Sequence, residues 1–153
     1  MPTNLYGPND NFDLSSSNGM PAIIRKFYEG KLRNDNYVEV WGTGKPLREF
    51  LHVDDMADAS VFLMENYQGQ EHVNIGTGKD ISIGDLAEII KCIVGFRGEI
   101  IFNKDKPDGT QKKLLDVSKL EKLGWKYKIE LVEGIRSLYN WFLIKYAGKI
   151  LCK

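Results

Sequence analysis

The stretch Tyr37-Val38-Glu39-Val40-Trp41-Gly42-Thr43-Gly44-Lys45-Pro46-Leu47-Arg48-Glu49-Phe50-Leu51-His52-Val53-Asp54-Asp55 holds three kinds of backbone signal in nineteen residues. Residues 37–41 alternate apolar and polar side chains, the period-two pattern of a half-buried strand. Gly42 to Pro46 is turn chemistry, because glycine accepts positive φ and proline fixes it. Arg48 to His52 extends again, so a strand, turn, strand unit is expected. Asp54 and Asp55 then supply a carboxylate N-cap ahead of Met56, Ala59, Val61, Phe62 and Leu63, a helical stripe ending near Tyr67.

Upstream, Met1 to Asn11 is dense in Pro, Gly, Asn and Asp and is expected to be an ordered loop. Pro21 followed by Ala22, Ile23, Ile24, Phe27 and Tyr28 predicts a helix over about 20–31, with proline in the first turn where its missing N–H costs nothing. Downstream, His72 to Gly76 reads as a short buried strand. Ser82 with Asp85 resembles a capping box, and Leu86, Ile89, Ile90, Ile93 and Val94 form one helix face closed by Gly95. Glu99 to Phe102 reads as a strand, and Asp116 caps a short helix with Leu120 and Leu123 that stops at Gly124. Leu131, Ile135, Leu138 and Phe142 define a last helix. Mixed strands and helices mean an α/β or α+β fold.

Composition narrows the function. The 153 residues carry 21 Lys+Arg against 21 Asp+Glu, so no net positive field favours a nucleic acid. No run approaches the roughly 18 apolar residues of a membrane span, and the opening lacks an apolar signal core; a cytoplasmic protein is expected. Cys92 and Cys152 form neither a disulfide framework nor a metal motif, and both are expected reduced.

Gly-Thr-Gly-Lys occurs twice, at 42–45 and 76–79. A phosphate-binding Walker loop needs a further glycine five residues before the second Gly, and Ser or Thr after the Lys. Glu39 and Pro46 stand there in the first copy, Val73 and Asp80 in the second. Both are read as tight turns. Gly-x-Gly-x-x-Gly and His-Glu-x-x-His are absent, and His52 and His72, each beside Val, read as structural.

Three local sequences remain: Pro-Thr-Asn-Leu-Tyr-Gly-Pro at 2–8, Val-Trp-Gly-Thr-Gly-x-Pro-x-Arg-Glu-Phe-Leu-His-Val-Asp-Asp at 40–55, and Lys-Pro-Asp-Gly-Thr-x-x-Lys-Leu-Leu-Asp-Val at 106–117. Together they resemble the carboxyl-terminal half of the GDP-L-fucose synthases, extended short-chain dehydrogenase/reductases. The resemblance covers almost the whole chain. It implies the carboxyl-terminal part of an extended Rossmann-type α/β reductase: mostly the small mixed α/β substrate-binding domain, plus the last strand and helix of the parallel sheet. Residues 1–153 are then a single unit, the substrate-binding half, with the amino-terminal dinucleotide-binding half expected elsewhere and Met1 matching an internal methionine of the family.

The resemblance further implies epimerisation of GDP-4-keto-6-deoxymannose and its reduction with NADPH, a GDP-linked deoxyhexose as ligand, and a homodimer in the intact enzyme. The family's catalytic Tyr-x-x-x-Lys pair, Ser and Gly-rich loop precede the Pro-Thr-Asn-Leu segment. No Tyr here has Lys four residues on; Tyr28 has Lys31 one position early and Leu32 at the required place. The family's nicotinamide-side loop falls on Pro2, Thr3, Asn4 and Leu5, and its proton-donating His on Asn18. An amide cannot titrate near neutrality as imidazole does. Substrate contacts fall on Lys26, Trp41, Arg48, Asp108 and Lys113: cations for pyrophosphate, an aromatic face for base or sugar, and a carboxylate for hydroxyl or guanine N–H groups. His52, Asp54 and Asp55 are assigned to packing and capping. Two alternatives stand beside this reading: a non-enzymatic nucleotide-sugar-binding module, and a piece of another sugar-nucleotide epimerase or dehydratase, such as one using a UDP-sugar.

Overall fold

In a computed structural model that describes residues 1–147, the 37–55 stretch forms two strands and the start of a helix, but the strands part company. Strand β2 (Tyr37–Trp41) pairs in parallel with β5 (Glu99–Asn103), Tyr37 opposite Glu99 through Trp41 opposite Asn103. Strand β3 (Leu47–His52) is the hub of a second sheet. Its first half pairs antiparallel with β4 (Asp80–Ser82) and parallel with the two-residue β6 (Lys112–Lys113). Its second half pairs in parallel with β1 (Asn4–Tyr6). The expected strand, turn, strand order is present, and its two strands belong to different sheets: β2 and β3 do not pair. Gly42 and Gly44, at φ +82° and +75°, together with Pro46 send the chain to another sheet instead of closing a two-residue hairpin.

Two expectations are corrected by the pairing. The opening segment is not loop throughout, since residues 4–6 are a strand defined by β3, a partner more than forty positions away. Residues 72–76 are not a strand: Val73 and Ile75 are buried, but they make one isolated bridge, Ile75 with Pro2. There Thr3 N–H donates to Ile75 O at 3.1 Å and Ile75 N–H to Met1 O at 2.9 Å.

The helices fall close to the periodicity. They are α1 (Gly19–Arg33), α2 (Val53–Asn66), α3 (Ile83–Val94), α4 (Ser118–Lys122) and α5 (Leu131–Phe142). Ser82 accepts from Asp85 N–H and donates to its carboxylate, and Gly95 closes α3 at φ +73°. Asp116 accepts from Ser118 N–H at the head of α4. Helix α2 departs from expectation: its cap is the His52 imidazole, whose Nδ1 accepts from Asp54 N–H at 3.2 Å. Asp55 instead turns inward, buried, and accepts from the Lys128 and Ile129 N–H groups.

One core is built from the inner faces of α1, α3 and α5 and from β2, with Ile24, Phe27, Leu86, Ile90, Ile135, Leu138 and Phe142 fully buried. A smaller one joins β3 and α2 to the region after them through Leu51, Ala59, Val73, Ile75, Leu120 and Trp125. β3 brings three distant parts of the chain, β1, β4 and β6, to one strand. The expectation for Cys152 lies outside the described residues; Cys92 is a free, exposed thiol.

Candidate functional site

The first Gly-Thr-Gly-Lys turn, between β2 and β3, already holds an anion: the carboxylate of Asp108. Thr43 N–H donates to Oδ1 at 2.6 Å and Thr43 Oγ1 to Oδ2 at 2.8 Å. A side chain on Gly42 would run into Asp108, so the glycine permits the close approach. These bonds, the backbone one first, hold the Asp108 carboxyl below the ordinary carboxylate range. Asp108 is thus engaged by the fold, with both carboxylate oxygens on Thr43.

The clasp brings the 106–113 loop against β3. Arg48 donates from Nη1 to Leu47 O at 2.8 Å and from Nη2 to Asp108 O at 3.4 Å, neutral acceptors, with the Asp108 carboxylate in its electrostatic reach. Lys113 is its register partner across the β3–β6 pairing. Trp41, 57% exposed, lies beside the turn with two ammonium groups over its ring, Lys26 at 5.2 Å and Lys106 at 5.3 Å. Lys26 also donates to Glu39 O at 3.0 Å, and burial pushes its pKa down. The contacts form two groups, Trp41 with Lys26 and Lys106, and Asp108 with Thr43 and Arg48 beside Lys113, joined along the chain through residues 41–43 and 106–108. The first offers an aromatic surface and the second cations to a phosphorylated ligand.

The second Gly-Thr-Gly-Lys turn holds an anion of its own as well. Glu49, in the middle of β3, is fully buried. Its Oε1 accepts from Thr77 N–H at 2.6 Å and Gly78 N–H at 2.8 Å, and its Oε2 from Leu115 N–H at 2.9 Å. In both turns the threonine N–H is engaged by a carboxylate of the chain, joined in the second by the N–H of Gly78.

Further along the same edge of β3 as β6 lie Pro2 to Leu5, the residues that the resemblance assigns to the nicotinamide side. Thr3 Oγ1 and Asn4 Nδ2 both donate to Glu49 O, at 3.2 and 2.7 Å. Pro2 makes the bridge to Ile75, and Leu5 is exposed. Asn18 stands apart, exposed at the head of α1, its side chain making no cap bond. Only part of what a dinucleotide site needs stands here, with the Asn4 amide turned into the fold onto Glu49 O. No step through a bound coenzyme is derived from these residues.

Sequence reasoning passed over Glu49, Thr43 and Lys106. The period-two rule held the signal for Glu49, which shares a face of β3 with buried Leu51. Thr43 and Lys106 carry no such signal, since their contacts depend on a loop sixty residues away. Among the described residues no group of three or more His, Cys, Asp or Glu side chains could hold a metal ion, and no helix is long and apolar enough to cross a membrane.

The model of the NAD dependent epimerase/dehydratase family matches residues 1–76, which contain β1, α1, β2, β3 and α2. The chain belongs to the NAD dependent epimerase/dehydratase family. Within that family it is 54% identical to the probable GDP-L-fucose synthase 1 of Oryza sativa subsp. japonica, over 94% of this chain and 44% of the relative. To the GDP-L-fucose synthase of Escherichia coli K12 it is 51% identical, over 94% of this chain and 47% of that one. A crystal structure of a GDP-L-fucose synthetase from Naegleria fowleri bound to NADP matches with a TM-score of 0.88 at 34% identity, over 95% of this chain and 46% of that one. The chain thus spans about half the length of these epimerase/dehydratase relatives and resembles their carboxyl-terminal half.

Proposed function

We propose that this chain is the GDP-sugar-binding half of a GDP-L-fucose synthase. Its ligand is GDP-4-keto-6-deoxymannose, which the whole enzyme epimerises and reduces to GDP-L-fucose with NADPH. The observation that carries the reading is the union of Arg48 and Lys113 in register on β3 and β6 with Trp41 and its two lysines, through the Thr43–Asp108 clasp. Pyrophosphate finds a guanidinium fork and point charges there, and a base or sugar finds an indole. The proton-relay tyrosine, its lysine and the coenzyme loop are assigned to an amino-terminal half working beside residues 1–153, in a cytoplasmic homodimer.

Titration calorimetry of the purified chain with GDP, UDP and NADPH tests this. GDP binding stronger than UDP binding, with no heat from NADPH alone, is the expected result; a preference for UDP overturns the fucose assignment.

One observation favours a second reading, a nucleotide-sugar-binding module without turnover: Asn18 replaces a titratable His, and the Asn4 amide is spent on Glu49. The two part when the chain is mixed with the amino-terminal half of a GDP-L-fucose synthase. NADPH oxidation on addition of substrate supports the enzyme, and GDP binding without it supports the module.

A further inference from the structure

Glu49 makes an unusual number of contacts for one residue. Its carboxylate takes three backbone N–H groups, two from the 76–79 turn and one from Leu115. Its carbonyl takes the side chains of Thr3 and Asn4. It is 0% exposed, and a Cβ on Gly76 would collide with Oε1. A buried carboxylate costs several kcal/mol unless its lone pairs are filled; here backbone donors fill them, and the segments supplying them are fixed in return. Leu115 lies two residues after Lys113, and Arg48 directly precedes Glu49 in β3. β1 and β6 lie along the same edge of β3, and Glu49 touches the segments carrying both, as well as the 76–79 turn.

We infer that Glu49 is a positioning residue that couples the Pro2–Leu5 segment to the Arg48–Lys113 cation pair through β3. In this arrangement the carboxylate sets where the 113–115 segment lies, and so where Lys113 stands relative to Arg48. The carbonyl of the same residue sets where Thr3 and Asn4 lie. A displacement of Glu49 is passed to both segments together. As far as it concerns GDP, the inference rests on the proposed function; the coupling itself does not.

The test compares Glu49→Gln with Asp55→Asn in the full chain. Asp55 is the matched control: buried, it accepts two backbone N–H groups, from Lys128 and Ile129, outside the contacts of the site. Amide hydrogen exchange, thermal melting and GDP titration are read for each. Loss of a charge-assisted bond to Leu115 is expected to weaken GDP binding by about tenfold and to raise exchange at 113–115 and at 3–4 as well as at 77–78. Asp55→Asn is expected to lower the melting temperature while GDP affinity stays within about twofold of wild type. Unchanged GDP affinity in Glu49→Gln, or an equal loss in Asp55→Asn, overturns the inference. If Glu49→Gln does not fold, Glu49→Asp is read the same way, since it keeps the charge but withdraws the carboxylate by one methylene. If the wild-type chain binds no GDP, the functional proposal fails and exchange alone decides. Deprotection reaching residues 3–4 then supports the coupling, and deprotection confined to 77–78 overturns it.

Discussion

Asp108 shows how a side chain suited to a ligand can be claimed by its own fold. A free carboxylate beside Gly109 suits a sugar hydroxyl, yet Thr43 takes both of its oxygens. Because its folded pKa lies below the ordinary value, ionised Asp108 stabilises the native state. That contribution is complete above the unfolded pKa of about 4 and is lost as pH falls through the lower folded value. Asp108→Asn should therefore melt below wild type by a constant interval from pH 8 to 5, and the interval should close on acidification below about pH 4; melting curves across that range check this. The same logic explains what could be read at this scale. Arg48 and Trp41 are legible because strand spacing and motif place them. The pinning of Asp108 is not, because its donor lies 65 positions away.

At the scale of elements, caps divide into those carried by local spacing and those made by tertiary placement. Ser82 and Asp85 lie three residues apart and make the reciprocal bonds that their types promise. His52 caps α2 while its ring meets Tyr6 edge-on at 5.4 Å, inside the protein. Ser82→Ala should cost about 1 kcal/mol, the usual loss for a removed N-cap. His52→Ala should cost more, about 2–4 kcal/mol, because a cavity accompanies the lost cap; chemical denaturation of both variants gives the comparison. Long amphipathic helices were therefore legible, α3 almost to the residue. Strands β1, β4 and β6, of two or three residues, were not: each owes its definition to β3, and too few side chains alternate in any of them to make a pattern.

For the molecule as a whole, the opening loop is secured by the last helix. Phe12 is fully buried, stacks with Trp141 and packs at a tilt against Phe142 and Tyr146, and Phe142 in turn meets Tyr28 and Tyr139. The two ends of the described chain close over α1. Phe142→Ala should cost about 3–5 kcal/mol and loosen residues 10–18 along with α5; equilibrium unfolding and proteolysis of that loop report the two effects. The aromatic residues were legible as a helix face, but their closure onto Phe12 was not, since sequence periodicity carries no information about which distant loop a face will meet.

The two glycine turns have a consequence for how this chain meets small oxyanions. Each comes with a built-in plug, Asp108 in one and Glu49 in the other, so formate, acetate or phosphate in the surrounding medium finds no vacant socket there. Shortening Glu49 to alanine would uncover the converging amide hydrogens of Thr77, Gly78 and Leu115 around a carboxylate-sized gap, turning a sealed joint into a receptor for solutes that the native molecule ignores; shortening Asp108 would free only the amide and hydroxyl of Thr43.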